Sequence, residues 1–224
     1  MTTFKIGSMT KFNNKYRIES NRLRYWDYSD TGLYFITICV EEHESIFGDI
    51  IKGEMILSEY GEIVKNEILK MNDYHPRAFV DEWVVMPNHI HLLIELIDED
   101  DVDRRDNGRN VEVGKIHVEK IHEFSLRCPH LSTSHQWWDN LNYKPTIDEI
   151  KQYRKQRRRM IIPKMVGKLQ MQTSKQINIK RSTSGVKNWQ SNYHDHIIRD
   201  DKSYQRIRDY IINNPENWEE DVLR

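Results

Sequence analysis

His89-Ile90-His91 sets two imidazoles one residue apart. In an extended segment, residues i and i+2 point to one face, so both rings project side by side while Ile90 turns to the other. That arrangement suits two ligands of one divalent ion. The apolar run Leu92-Leu93-Ile94 that follows places the pair at the start of a rigid strand, where ligands can be held accurately. The same spacing also suits two hydrogen-bonded histidines at a strand edge, and spacing alone does not separate the two readings. His194-Asp195-His196 repeats the pattern around a charged residue, and it reads more readily as a surface pair or a phosphate-contacting pair.

A second constellation is Tyr210 with Asn214, four residues apart and therefore on one face of a helix. A tyrosine hydroxyl is a nucleophile only as phenolate or beside a base, because its free pKa is about 10. An ion that also binds a phosphate ester would orient in-line attack and neutralise the ester oxygens. The Asn214 amide oxygen could complete that ion's shell together with the histidines. The alternative is an amphipathic core stripe of Ile207, Tyr210 and Ile211. Nearby acids are scarce: Glu95, six residues beyond His89 on an extended strand, lies roughly 20 Å away.

The third feature is a run of charge. Residues 151–187 hold twelve Lys and Arg and no Asp or Glu, a net charge of +12 within a chain whose total is -1. Such a segment can be a solvated face. A complete absence of acids over 37 residues favours phosphate neutralisation on DNA or RNA. Arg154, Lys155, Arg157, Arg158, Arg159, Lys164, Lys168 and Lys175 are the contact candidates. Tyr25, Trp26, Tyr153 and Trp189 are candidates for stacking on unpaired bases.

These residues need elements to hold them. Leu33–Val40 has the β-branched and aromatic content of a buried strand. Two apolar runs around Lys52-Gly53 predict a hairpin. Ser58 then caps a helix with Ile63, Ile68 and Leu69 on its inner face. Residues 79–86 and 89–96 are strands separated by Pro87-Asn88. Residues 161–179 form a helix with Val166, Leu169 and Ile177 inward, and 189–199 form a strand. Asp200 caps a final helix that Pro215 ends at or just before Asn214.

The order is β-α-β-β-α-β plus a C-terminal helix. It predicts an α+β, ferredoxin-like antiparallel sheet with its helices on one face. Residues 1–30 read as an extended N-terminal arm, and 31–97 with 151–224 as one domain. Between them, 98–150 reads as an insertion or long loop, partly disordered, that opens on an acidic cluster.

With 38% hydrophobic and 31% charged residues, the 224-residue chain has material for one packed domain. Cys39 reads as a small core residue, and Cys39 and Cys128, 89 positions apart, give neither a metal spacing nor a disulfide framework. No signal-peptide core and no run near the ~18 apolar residues of a membrane span is present. A cytoplasmic protein is expected.

Several of these segments in order resemble the REP-associated branch of the single-tyrosine HUH transposases. Pro87-Asn88-His89-Ile90-His91 with its apolar strand is similar to the HUH motif, in which a hydrophobic residue separates two histidines. Trp189-Gln190, Tyr193-His194-Asp195-His196-Ile197-Ile198-Arg199 and Tyr210-Ile211-Ile212-Asn213-Asn214-Pro215 are similar to that branch's C-terminal half. Tyr28-Ser29-Asp30-Thr31-Gly32-Leu33-Tyr34-Phe35-Ile36-Thr37 also fits. The resemblance spans about residues 20–97 and 150–220.

It implies Tyr210 as nucleophile, His89 and His91 as ligands of Mg²⁺ or Mn²⁺, and Asn214 as third ligand. It also implies nicking and strand transfer of single-stranded DNA at hairpins (REP-like repeats) through a 5′-phosphotyrosine, in a nucleoid-associated protein that could be a homodimer. A domesticated, non-catalytic hairpin-binding protein is the alternative. A hydrolytic metalloenzyme acting through a bound water is the third class. Because Pro215 frays the helix end, the Tyr210–Asn214 half of the site is expected to sit displaced or incomplete without DNA and metal.

Overall fold

The computed structural model describes residues 10–12, 15–17, 26–106, 148, 151–152, 155–156, 158–221 and 223. Its strands are β1 (Thr10–Phe12), β2 (Lys15–Arg17), β3 (Gly32–Cys39), β4 (Gly48–Ile51), β5 (Glu54–Leu57), β6 (Ala78–Val85), β7 (His89–Leu96) and β8 (His194–Ile198). Its α-helices are α1 (Glu59–Leu69), α2 (Glu99–Asp106), α3 (Ile161–Arg181) and α4 (Asp201–Asn213). Most of the arm and residues 107–147 lie outside the described residues, as do Tyr25, Cys128, Tyr153, Arg154 and Arg157.

The central sheet is antiparallel, with strand order β6-β7-β3-β8. This is the α+β sheet that the element order predicts. Each helical crossover returns the chain to an edge strand, and β3 and β7, the most apolar strands, occupy the middle. Alternation along the strands divides their side chains between two cores. Tyr34, Ile36, Ile38, Ile90, Leu92 and Ile94 meet α1 and α3 in the larger core. Leu33, Leu93 and Ile198 meet Tyr204, Ile207 and Ile211 of α4 on the opposite face. With both faces occupied, every residue of β7 is buried.

Local signals work as expected at several points. Lys52 (φ 54°) and Gly53 (φ 80°) make the two-residue turn between β4 and β5, which needs positive φ at both positions. Ser58 Oγ accepts from the Tyr60 and Gly61 amides, so it caps α1 as predicted. Asp200 caps α4 through the Ser203 amide, and Asn214 is the C-cap before Pro215.

Gly61 reverses the usual helix preference. A Cβ there would stand 2.1 Å from the Phe47 carbonyl oxygen. Gly61→Ala should therefore lower stability by about 1–3 kcal/mol, read as a drop in the urea midpoint, where an open helix site would gain up to about 1 kcal/mol. A more stable variant would contradict the contact.

Four expectations need correction. Leu69 is 58% exposed, because α1 turns its Ile63, Val64 and Ile68 side inward and Leu69 lies past that stripe. Tyr28 is fully buried, and its hydroxyl donates to Asp195 at 2.5 Å, so this end of the arm is part of the packed domain. The acidic cluster after β7 begins a helix, α2, whose first-turn Glu99, Asp100 and Asp101 suit the positive end of the helix dipole. Trp189 is no stacking platform: it packs at 5.0 Å on Phe47, and its indole N–H donates to Thr173 Oγ1. Trp26, for its part, donates to the Tyr34 hydroxyl.

Candidate active site

The register of β7 against β3 pairs Cys39 with His89 and Thr37 with His91. Both histidines therefore face the α4 side of the sheet, next to each other and out of water (0% and 2% exposed). Their Nε2 atoms are 3.1 Å apart. The Nδ1 atoms are held from behind. His89 Nδ1 lies 2.7 Å from Asn88 Oδ1, and His91 Nδ1 lies 2.8 Å from Thr37 Oγ1.

The Asn88 amide orientation is fixed chemically, since its Nδ2 donates to the carbonyls of Leu223 (2.7 Å) and His43 (3.4 Å). Its Oδ1 can only accept, so His89 must carry its proton on Nδ1 and present a bare lone pair at Nε2. That is the tautomer a metal ligand needs. Asn88 and Thr37 are thus orienting groups that the histidine spacing did not name.

A bulge in β6 positions the tyrosine. The register slips between Val80 and Glu82. The extra residue, Asp81, accepts from the Tyr204 hydroxyl at 2.8 Å, and Glu82 pairs with Arg208 at 3.3 Å. These contacts clamp α4 across β6 and β7. Tyr210, six residues beyond Tyr204, then lands with its hydroxyl 3.2 Å from His91 Nε2. The residue is 41% exposed, yet its hydroxyl points inward. Asn214, one turn further, is buried, and its Oδ1 has no hydrogen-bond partner. The Tyr210–Asn214 half is assembled, contrary to the expected displacement. The reason is that the α4 clamp lies upstream of Pro215, while Asn214 Nδ2 is held by Asp221 at 3.1 Å.

Asp221 is the residue that sequence reasoning missed. Its carboxylate lies 3.8 Å from His89 Nε2 and 3.5 Å from the Tyr210 hydroxyl, with only 1% of its side chain exposed. Among the described residues, His89, His91 and Asp221 form a group able to hold a metal ion, their ligand atoms all within 4.8 Å. The donor set fits a divalent cation: two neutral imidazoles and one carboxylate. No spacing rule could have found Asp221, which comes 130 positions after His91 in an acidic C-terminal segment.

Burial sets the protonation states. It is the first cause pushing His89 down to about 4, against the pull of the Asp221 charge, and it holds His91 well below the ordinary histidine range. Both rings are neutral at physiological pH. The unfolded chain takes up these protons near pH 6.5, whereas the native metal-free protein resists until far lower pH. Stability should therefore fall as pH drops from about 6.5 toward 4. The metal-free protein should melt at least about 5 °C lower at pH 5 than at pH 7.5, and His91→Gln should flatten that dependence. An unchanged profile in His91→Gln would refute the assignment.

The described part of the basic segment does not line this pocket. Helix α3 packs on the other face of the sheet, where Lys164, Lys168 and Lys175 are exposed and the Lys168 ammonium sits 3.9 Å from the Tyr74 ring centroid. Lys155, Arg158 and Arg159, which precede α3, are also exposed. Lys180 and Lys187 are engaged with Glu59 and Glu41. His194 and His196 are exposed on the edge strand β8, opposite Thr37 and Phe35, and neither belongs to the His89–His91–Asp221 group.

No family model matches the chain. An uncharacterized protein of Haemophilus influenzae is 32% identical over 96% of this chain and 97% of its own length. A second H. influenzae protein, provisionally named a REP-associated tyrosine transposase, is 23% identical over 84% of this chain and 73% of its own. By sequence, the chain is similar to a protein named for the REP-associated tyrosine transposases. A solved REP-associated tyrosine transposase bound to a REP hairpin aligns with 87% of this chain and 73% of its own, with a TM-score of 0.42 and 17% identity. The motifs that resemble this family, around His89-Ile90-His91 and Tyr210, are those that meet in the pocket. Among the described residues, no helix is long and apolar enough to cross a membrane.

Proposed function

We propose that this chain nicks and rejoins single-stranded DNA at hairpins, with Tyr210 as nucleophile and a divalent ion, Mg²⁺ or Mn²⁺, held by His89, His91 and Asn214 with Asp221 beside them. The observation that carries the reading is the 3.2 Å approach of the Tyr210 hydroxyl to His91 Nε2, beside an Asp221 carboxylate that also holds the Asn214 amide. When bound, the ion supplies charge neutralisation for the phosphate oxygens.

The remaining chemistry belongs to the chain. Burial first, and the Asp221 charge second, push the Tyr210 phenol up to about 12, so phenolate is not its resting form. Asp221, 3.5 Å away, is placed to accept the phenol proton as the oxygen attacks phosphorus. The P–O bond to the 3′-oxygen breaks, that oxygen takes a proton, and the 5′-phosphate stays on Tyr210. Reattack by a 3′-hydroxyl reverses the step, and the phosphotyrosine bond conserves the energy for rejoining. The basic strip on α3 is the proposed contact for the hairpin backbone.

Incubating the protein with a hairpin-bearing oligonucleotide and Mn²⁺, followed by a denaturing gel, tests this. A covalent protein–DNA band is expected. Bound but uncut DNA would favour the non-catalytic binding protein. Cut DNA without an adduct would favour hydrolysis through a bound water, a reading that Asp221 supports more than the sequence did.

A further inference from the structure

Although Leu33 and Ile198 pack against α4, part of the same sheet face beside Tyr210, at Phe35, His194 and His196, stays open. The helix lies over β6 and β7, which it reaches through Tyr204, Arg208 and Tyr210. Beyond it, β3 and β8 continue the same face. Strand alternation places Phe35 of β3 and both His194 and His196 of β8 on that face, with His196 directly opposite Phe35. The two histidines are exposed, and Phe35 is partly exposed in a strand whose other side chains are buried.

The Phe35 ring centroid is 5.1 Å from the His91 ring and 6.1 Å from Tyr210, edge-on to the latter. On α4, Ser203 and Arg206 precede Tyr210 by seven and four residues and so share its flank, the one turned from Arg208 and β6. Arg206 is exposed, with its guanidinium 3.3 Å from Ser203 Oγ. An aromatic floor next to the nucleophile, with nitrogen donors along both sides, matches what an unpaired strand needs: a surface for a base and polar rails for its backbone.

We propose that Phe35, His194, His196 and Arg206 form the shelf that seats the unpaired nucleotides adjoining the scissile phosphate. A base stacks on Phe35, and the backbone runs between the β8 imidazoles and Arg206, which delivers the phosphate to Tyr210. The inference rests on the reading of Tyr210 as a nucleophile toward single-stranded DNA. It assigns a role to the second histidine pair, which lies outside the metal-binding group. It also separates two surfaces: the α3 strip for the duplex stem, and this shelf for the single strand.

Fluorescence anisotropy in EDTA, with the full chain, tests the shelf without turnover. Two probes are compared: a hairpin with an unpaired extension on each side, and the same hairpin without extensions. Wild type should prefer the extended probe. The double variant His194→Ala/His196→Ala, and separately Arg206→Ala, should lose that preference by about tenfold, with affinity for the bare hairpin changed less than about twofold. Phe35→Leu should act likewise, and thermal melting reports whether packing around Phe35 survives. Variants that melt like wild type yet keep its preference would overturn the shelf while leaving the nucleophile assignment intact. A wild type that binds neither probe and forms no adduct would overturn both.

Discussion

Tyr210→Phe should abolish the covalent adduct and leave hairpin binding in place. The substitution removes one oxygen, whose contacts are His91 at 3.2 Å and Asp221 at 3.5 Å. Loss of two such polar contacts at a partly exposed side chain should change stability by no more than about 1 kcal/mol. The Phe ring can keep its edge-on contact with Phe35. Loss of the nucleophile should lower the rate of adduct formation by at least about 10⁴-fold. Single-turnover assays on labelled hairpin DNA, resolved on denaturing gels, measure this directly. Adduct formed by Tyr210→Phe would remove Tyr210 from the mechanism.

The second large effect is expected at the histidines. His89→Ala, His91→Ala or EDTA should each stop cleavage. The variants should show a graded pattern that a purely structural role would not give. Removing a ligand leaves the donor set incomplete, so excess Mn²⁺ should not restore activity. Removing an orienting group leaves the ligands present but looser. Asn88→Ala or Thr37→Val should thus cost about 10–100-fold in metal affinity and be rescued by raising Mn²⁺. Asn214→Ala should behave as a ligand variant. Binding of Mn²⁺ can be followed by isothermal titration, independently of DNA. Full cleavage in EDTA would eliminate the ion from the reaction.

The failures of sequence reading have physical causes. Leu69 carried the right residue type for the inner stripe of α1, but the facing surface ended before it. Trp189 has the residue type of a stacking platform, yet a single bridge to Val40 and a hydrogen bond to Thr173 draw it into the core. Pro215 suggested a loosened end to α4, but Asp221 returns to hold Asn214.

What the sequence determined by itself was whatever depends on neighbours along the chain. Alternation put His89 and His91 on one face, helical spacing put Tyr210 and Asn214 on one flank, and Ser58 and Asp200 marked where helices begin. The tertiary structure decided how these pieces meet. The register of β3 against β7 brought Thr37 behind His91, and the β6 bulge aimed α4 so that Tyr210 reaches that ring. The return of the chain at Asp221 supplied the carboxylate. Those contacts join residues 54, 119 and 132 positions apart (221 − 89 = 132 for the last). They are set by packing and strand pairing across the whole domain, for which local periodicity carries no signal.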